Sequence, residues 1–101
     1  MIRNFRVYEL SVVFYRRCLA QRLMHPEKGQ LRRASLSISN NLSEGWGRRS
    51  AADRRHFFDI AFGSLRESQN IIRAAALTDP ELLRLADQLG GGLYRLCYPK
   101  A

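Results

Sequence analysis

The sequence predicts an all-α protein, an antiparallel up-and-down four-helix bundle, on three observations. Apolar residues recur at steps of three and four along four separate segments. Proline falls only at positions 26, 80 and 99, so long stretches are free of helix breakers. The connections between segments are short, which makes consecutive helices antiparallel neighbours. With 101 residues and 46% apolar composition, the chain suits one domain, residues 1–101, around one small core. No strand pattern, internal repeat or low-complexity tract competes with this reading.

The first helix is expected over residues 4–24. Phe5, Tyr8, Val12, Tyr15, Leu19 and Leu23 form one stripe, which Val13 and Ala20 widen. Pro26 biases His25 away from helical geometry and ends the segment. The second helix is expected over residues 29–45, with Leu31, Ser35, Ile38, Leu42 and Gly45 in line and Ala34 beside them. Its many serines and asparagines are mediocre helix formers, so the spacing of Leu31, Ile38 and Leu42 decides. Gly45 and Gly47 then end it, because glycine tolerates a left-handed cap.

Ser50 opens the third helix, with Asp53 at the capping-box spacing. That helix is expected to reach about Leu77. Its stripe is Phe57/Phe58, Ala61, Phe62, Leu65, Ser68/Gln69, Ile72 and Ala75/Ala76. Thr78 or Asp79 caps the fourth helix, with Pro80 in its first turn. Leu82, Ala86, Leu89, Leu93 and Leu96 continue it. Gly90-Gly91-Gly92 interrupts this stripe at a cost of roughly 1 kcal/mol per glycine. A break there would leave residues 93–98 as a separate turn.

Seventeen bases against nine acids give a net charge of +8 and a pI near 10.5. All the bases but Lys28 and Lys100 are arginine, whose planar fork matches phosphate and carboxylate. GC-rich coding would account for arginine over lysine, but not for the positive excess. The charged helix faces exclude a membrane-spanning bundle. Cys18 and Cys97 sit in apolar helical patterns, outside any CxxC or Cys/His cluster. A zinc site is therefore not expected, and a cytoplasmic location is. The only histidines are His25 and His56, and no nucleophile–base–acid set, Walker motif, HExxH or dinucleotide loop accompanies them. No enzyme activity, catalytic residue, metal or cofactor is expected.

Three arginine pairs, Arg32-Arg33, Arg48-Arg49 and Arg54-Arg55, fall between Gln30 and Asn70. A hairpin centred near residue 48 would set Arg33 against Ser64 and Glu67, Asn41 against His56, and Glu44 against Asp53. Arg33 and Glu67 are expected to pair inside the bundle, where such a pair specifies register more than it stabilises. Asn41 and Glu44 are too few for a metal or catalytic site. They suit polar contacts to a neighbouring helix, with Glu44 neutralised by Arg48 and Arg49. Arg48, Arg49, Arg54 and Arg55 then remain at one pole, and Arg16, Arg17 and Arg22 form a second group. Four arginines at one pole are the footprint of a nucleic-acid surface, or else a solvated helix face. Trp46 would stack on a base, close the end of the core or fill an oligomer contact. The first helix crowds Val7, Tyr8, Val12, Val13, Phe14 and Tyr15 onto more than one face, which marks an interface.

The run QLRRASLSISNNLSEGWGRRS, followed by FFDIAFGSLRE, resembles the bacterial four-helix-bundle proteins encoded in 23S rRNA intervening sequences. These are related to the accessory variability determinant of diversity-generating retroelements. The matching residues include Gln30, Arg32, Arg33, Ser37, Ile38, Asn41, Glu44, Gly45, Gly47, Arg48, Arg49 and Ser50. They continue through Phe57, Ile60, Ala61, Gly63, Ser64, Leu65 and Glu67. The chain departs from the pattern in a shorter loop at Glu27–Gly29 and at Arg54, where the family generally has an aromatic. The resemblance implies a non-enzymatic bundle assembled as a ring, typically a homopentamer. By analogy with the retroelement relatives it also implies RNA or DNA binding and a reverse-transcriptase partner. The alternative is a structural or adaptor module that contacts another protein and no nucleic acid.

Overall fold

A computed structural model describes residues 5–100, with Phe5 placed by its backbone alone, so the expected place of its side chain in a stripe lies outside the described residues. Four helices follow one another: α1 (Phe5–Leu19), α2 (Glu27–Trp46), α3 (Ala51–Ala74) and α4 (Pro80–Cys97). α1 packs on α2, α2 on α3, α3 on α4, and α4 closes back on α1. At about 1.5 Å per residue, α3 accounts for most of the 40 Å length of a body 22 by 21 Å across.

Contacts fix the directions. Ser37 meets Ser64, and further along α2 Gly45 meets Phe57 and Phe58, which lie earlier in α3. α2 and α3 are therefore antiparallel. Leu65 lies against Gly90, while Asp59 lies by Cys97, so α3 and α4 are antiparallel too. Val7 against Gly92 and Arg17 against Asp79 give the same result for α1 and α4. The turn between α2 and α3 spans residues 47–50, as expected, but Ser37 opposite Ser64 and Gly45 against Phe57 and Phe58 set the facing register about one helical turn further along α3 than expected.

The core holds Phe14, Leu31, Ile38, Leu42, Leu65, Leu82, Leu89 and Leu93, all inaccessible or nearly so. The α2 stripe is buried as the spacing predicts. The α1 stripe is not. Its core-facing residues are Val7, Ser11, Phe14 and Cys18. Tyr8, Val12 and Tyr15 are half-buried, and Leu19 is 47% exposed. Ser11 and Cys18 are small enough to let α1 lie close to its neighbours, and the Ser11 hydroxyl donates to the Tyr8 carbonyl at 2.6 Å. Ser35 and Ser68 donate to carbonyls one turn back in the same way, so these three buried hydroxyls are satisfied within their own helices.

The helix ends differ from expectation in instructive ways. α1 stops at Leu19, and α2 starts at Glu27 after a cis His25–Pro26 bond. Gly45 is helical, and Gly47 has φ −79°, so neither supplies a left-handed cap. Gly45 is instead a contact residue: a Cβ there would lie 2.7 Å from Phe58 Cε1. α3 ends at Ala74, before Leu77, and the left-handed residue is Ala76, with φ 55°. The Leu77 N–H donates to the Ile72 carbonyl at 3.0 Å and the Ala76 N–H to the Arg73 carbonyl at 3.0 Å. This is the Schellman pattern with alanine where glycine is usual. α4 is continuous through its three glycines. Gly92 is buried, with Val7 Cγ2 3.0 Å from where its Cβ would stand, so α1 approaches α4 across it.

Asp79 caps α4, accepting from the Glu81 and Leu82 N–H groups, and Ser50 caps α3, accepting from Asp53 N–H at 3.0 Å. Asp79 also takes both arms of Arg17, at 2.7 and 2.9 Å, and the Gln21 amide at 2.7 Å. These partners, Arg17 first and then Gln21, hold its carboxyl well below the usual carboxylate range.

Candidate nucleic-acid interface

The hairpin tip is built from its apolar floor upward. Gly45 lets α3 approach α2, and Trp46 then packs edge-on to Phe58, ring centroids 5.3 Å apart, against the end of the core. Half-buried there, Trp46 closes the core. Phe57, one position on, is half-buried and faces the charged groups.

Arg48 is engaged twice. Its Nη2 donates to Glu44 Oε1 at 2.7 Å, and its guanidinium lies 4.7 Å from the Phe57 ring centroid. His56 meets the same ring edge-on at 5.2 Å. Arg54 Nε donates to the Arg48 carbonyl at 2.7 Å, which fixes the arginine and ties down the turn. Arg49 is exposed between them. Arg55 is exposed on the α4 side of α3, where its charge acts on the Cys97 thiol. The tip thus gathers Arg48, Arg49 and Arg54 on one side and turns Arg55 to another. Glu44, Asp53 and Asp59 stand among them, so residues 44–59 carry a net charge of only +1.

The expected internal pair is absent. Arg33 and Glu67 are both exposed, and no ion pair joins them. Arg33 instead folds back along α2, its Nη1 3.5 Å from where a Cβ on Gly29 would stand. Removal of Glu67 therefore leaves no unpaired buried charge. Asn41 does not face His56. Its Nδ2 donates to the Ser37 carbonyl at 2.8 Å and to Ser37 Oγ at 3.0 Å. Ser37 shares a 2.8 Å bond with Ser64, which makes a short polar bridge between α2 and α3. The sequence reading missed Ser37, Ser64 and Phe57 as members of this seam. Asn41 four residues after Ser37 was the available signal, since such positions are neighbours on a helix.

The two thiols do no chemistry here. Burial pushes both Cys18 and Cys97 up to about 12, so both stay protonated. Among the described residues, no three His, Cys, Asp or Glu side chains are grouped to hold a metal. No helix among the described residues is long and apolar enough to cross a membrane. An open groove of about 420 Å³ lies between the end of α3 and the start of α4, floored by Ile72, Leu77, Leu83 and Ala86 with Arg73 and Asp87 alongside.

Residues 4–80 match the family described as 23S rRNA-intervening sequence protein, and the chain belongs to that family. No curated protein matches the chain.

Proposed function

We propose that this member of the 23S rRNA-intervening sequence protein family is a non-enzymatic, ring-forming bundle, a homopentamer, that binds RNA or DNA in the cytoplasm through its arginine-rich surface. The observation that carries the reading is charge. A net +8 per chain, repeated around a ring, makes a polyanion the natural partner. Contacts that are weak singly gain by multivalency when every copy repeats them. Assembly is supported by the second apolar stripe of α1, where Tyr8, Val12 and Tyr15 stay half-buried and Leu19 stays exposed after the core is complete. A closed ring uses a heterologous contact, so this stripe would meet a different face of the next copy. The free, buried thiols suit a reducing compartment.

Replacement of Arg48, Arg49, Arg54 and Arg55 by glutamine tests the tip. The expected result is an intact oligomer with weaker binding to all sequences alike and a flatter salt dependence. Unchanged binding at low salt would remove the tip from the interface. If the wild-type protein binds no polynucleotide, the adaptor reading takes its place. The apolar groove between α3 and α4 favours that second reading, with a protein such as a reverse transcriptase, by family analogy, as the partner.

A further inference from the structure

We infer that the strongest phosphate-binding surface of this chain lies at the α1–α2 connection, on Arg22, Lys28, Arg32 and Arg33, and not at the hairpin tip. The inference rests on the nucleic-acid reading and relocates its centre.

Local charge balance separates the two surfaces, since each has one ion-paired arginine, Arg48 at the tip and Arg17 at the corner, but the tip segment holds three acids. Residues 16–33 carry six bases, Arg16, Arg17, Arg22, Lys28, Arg32 and Arg33, against one acid, Glu27. From outside this segment Asp79 neutralises Arg17, and Glu81 acts on it more weakly while paired with Arg84. A net charge of +4 remains, against +1 across the tip. Arg16, Arg22, Lys28, Arg32 and Arg33 are all exposed, and none takes part in an ion pair among the described residues.

The fold draws these groups together. Lys28 and Arg32, one turn apart on α2, line one crevice with Cys18, Leu19, Gln21 and Leu23. Arg22 sits between two residues of that crevice. Arg33 lies back over Gly29, which brings its guanidinium beside the first turn of α2. No side chain caps that turn, but its Lys28 N–H donates to the Met24 carbonyl and Glu27 stands within it, so the field there comes from the basic side chains.

The chemistry favours a phosphodiester backbone over a lipid surface. Three of the four bases are arginines, whose forks take two oxygens of one phosphate. Met24 is 84% exposed in the same connection, but one side chain is too little apolar surface to anchor the protein in a bilayer.

The test compares three proteins on a mixed-sequence single-stranded RNA over a salt titration: wild type, the tip variant above, and Arg22→Gln/Lys28→Gln/Arg32→Gln/Arg33→Gln. The corner variant is expected to bind at least tenfold more weakly than the tip variant. Loss of four contacts should flatten its salt slope by about 3, from the roughly 0.7 per phosphate of single strands. A charge-keeping variant, Arg22→Lys/Arg32→Lys/Arg33→Lys, is expected to keep the wild-type slope. If it fails as the glutamine variant does, the surface acts through folding and the inference is wrong. If the corner variant binds like wild type while the tip variant is weakened, the inference falls and the nucleic-acid reading stands. If no protein binds RNA, the nucleic-acid reading itself falls. Corner-dependent binding to phosphatidylserine vesicles in place of RNA would overturn the choice of partner.

Discussion

At position 45 a single methyl group would land 2.7 Å from Phe58 Cε1 and 3.2 Å from Phe57 Cβ. Both neighbours belong to the packed α2–α3 seam and have little room to move. Gly45→Ala is therefore expected to destabilise the protein by about 1–3 kcal/mol, as overpacking does, read from the denaturation midpoint. Gly63, also within a helix, has nothing within 4 Å of its would-be Cβ. Gly63→Ala should stabilise by about 0.5–1 kcal/mol, because only the helix penalty of glycine is removed. Ala76 reverses the argument. Its left-handed φ of 55° carries strain of roughly 1–2 kcal/mol for a residue with a Cβ. Ala76→Gly should raise stability by about 1 kcal/mol, the strain relieved less the greater freedom of glycine in the unfolded chain. A loss of stability would mean that Ala76 contributes packing that outweighs its backbone. None of the three positions discloses its role in the sequence. Gly45 looks like a helix stop because a distance to α3 governs it, and Ala76 looks like helix interior because alanine carries no signal of the left-handed cap it forms.

Helix by helix, legibility follows how apolar the buried face is. α2 was readable despite its serines, since Leu31, Ile38 and Leu42 set the phase and all three are fully buried. α1 was misphased because tyrosines and valines drew the stripe toward Tyr8, Val12 and Tyr15, while two small residues, Ser11 and Cys18, occupy core positions. The Arg33–Glu67 pairing fails because both side chains lie on solvent-exposed faces of their helices, which a count of facing positions does not reveal. Asp79 shows what one residue does for two helices, as it caps α4 and clamps Arg17 of α1. Its folded carboxyl is held below the ordinary carboxylate value, chiefly by Arg17. It therefore contributes stability that is complete above the ordinary carboxylate range and is lost as pH falls through that range toward the folded value. Asp79→Asn keeps a good capping side chain but gives up the charge. Its melting temperature should lie below wild type at neutral pH and converge with it in acid, while Asp79→Ala, which also loses the cap, should lie lower still at neutral pH. Parallel curves for wild type and Asp79→Asn down through the acid range would exclude the clamp.

For the whole molecule, the all-α class, the helix count and the helix order were legible in the sequence. The distribution of charge over its surface was not. Counting arginines pointed to the hairpin tip, yet Glu44 pairs with Arg48 there, and Asp53 and Asp59 stand close by. Which bases remain uncompensated depends on which acids the fold sets beside them. The second apolar stripe of α1 predicts a mass of several chains by light scattering at micromolar concentration; a value of 11.7 kDa would mean a monomer. Leu19 and Leu36 are 47% and 36% exposed, so Leu19→Glu/Leu36→Glu should leave the helical circular dichroism unchanged while lowering the oligomer mass. An oligomer that survives both charges would place the contact elsewhere.

Three of the four helix seams join elements consecutive in the chain, and only α1 with α4 brings the two ends together. The mostly local order of contacts is that of a fast-folding topology. The closing seam spans the longest loop, so its entropic cost is met only once the rest has condensed. Arg17–Asp79 and Val7–Gly92 are thus placed to form after the rate-limiting step. Asp79→Asn should then leave the folding arm of a chevron plot nearly unmoved and raise the unfolding rate. In kinetic terms the α1–α4 seam is a latch: it sets how long the bundle stays shut rather than how quickly it forms.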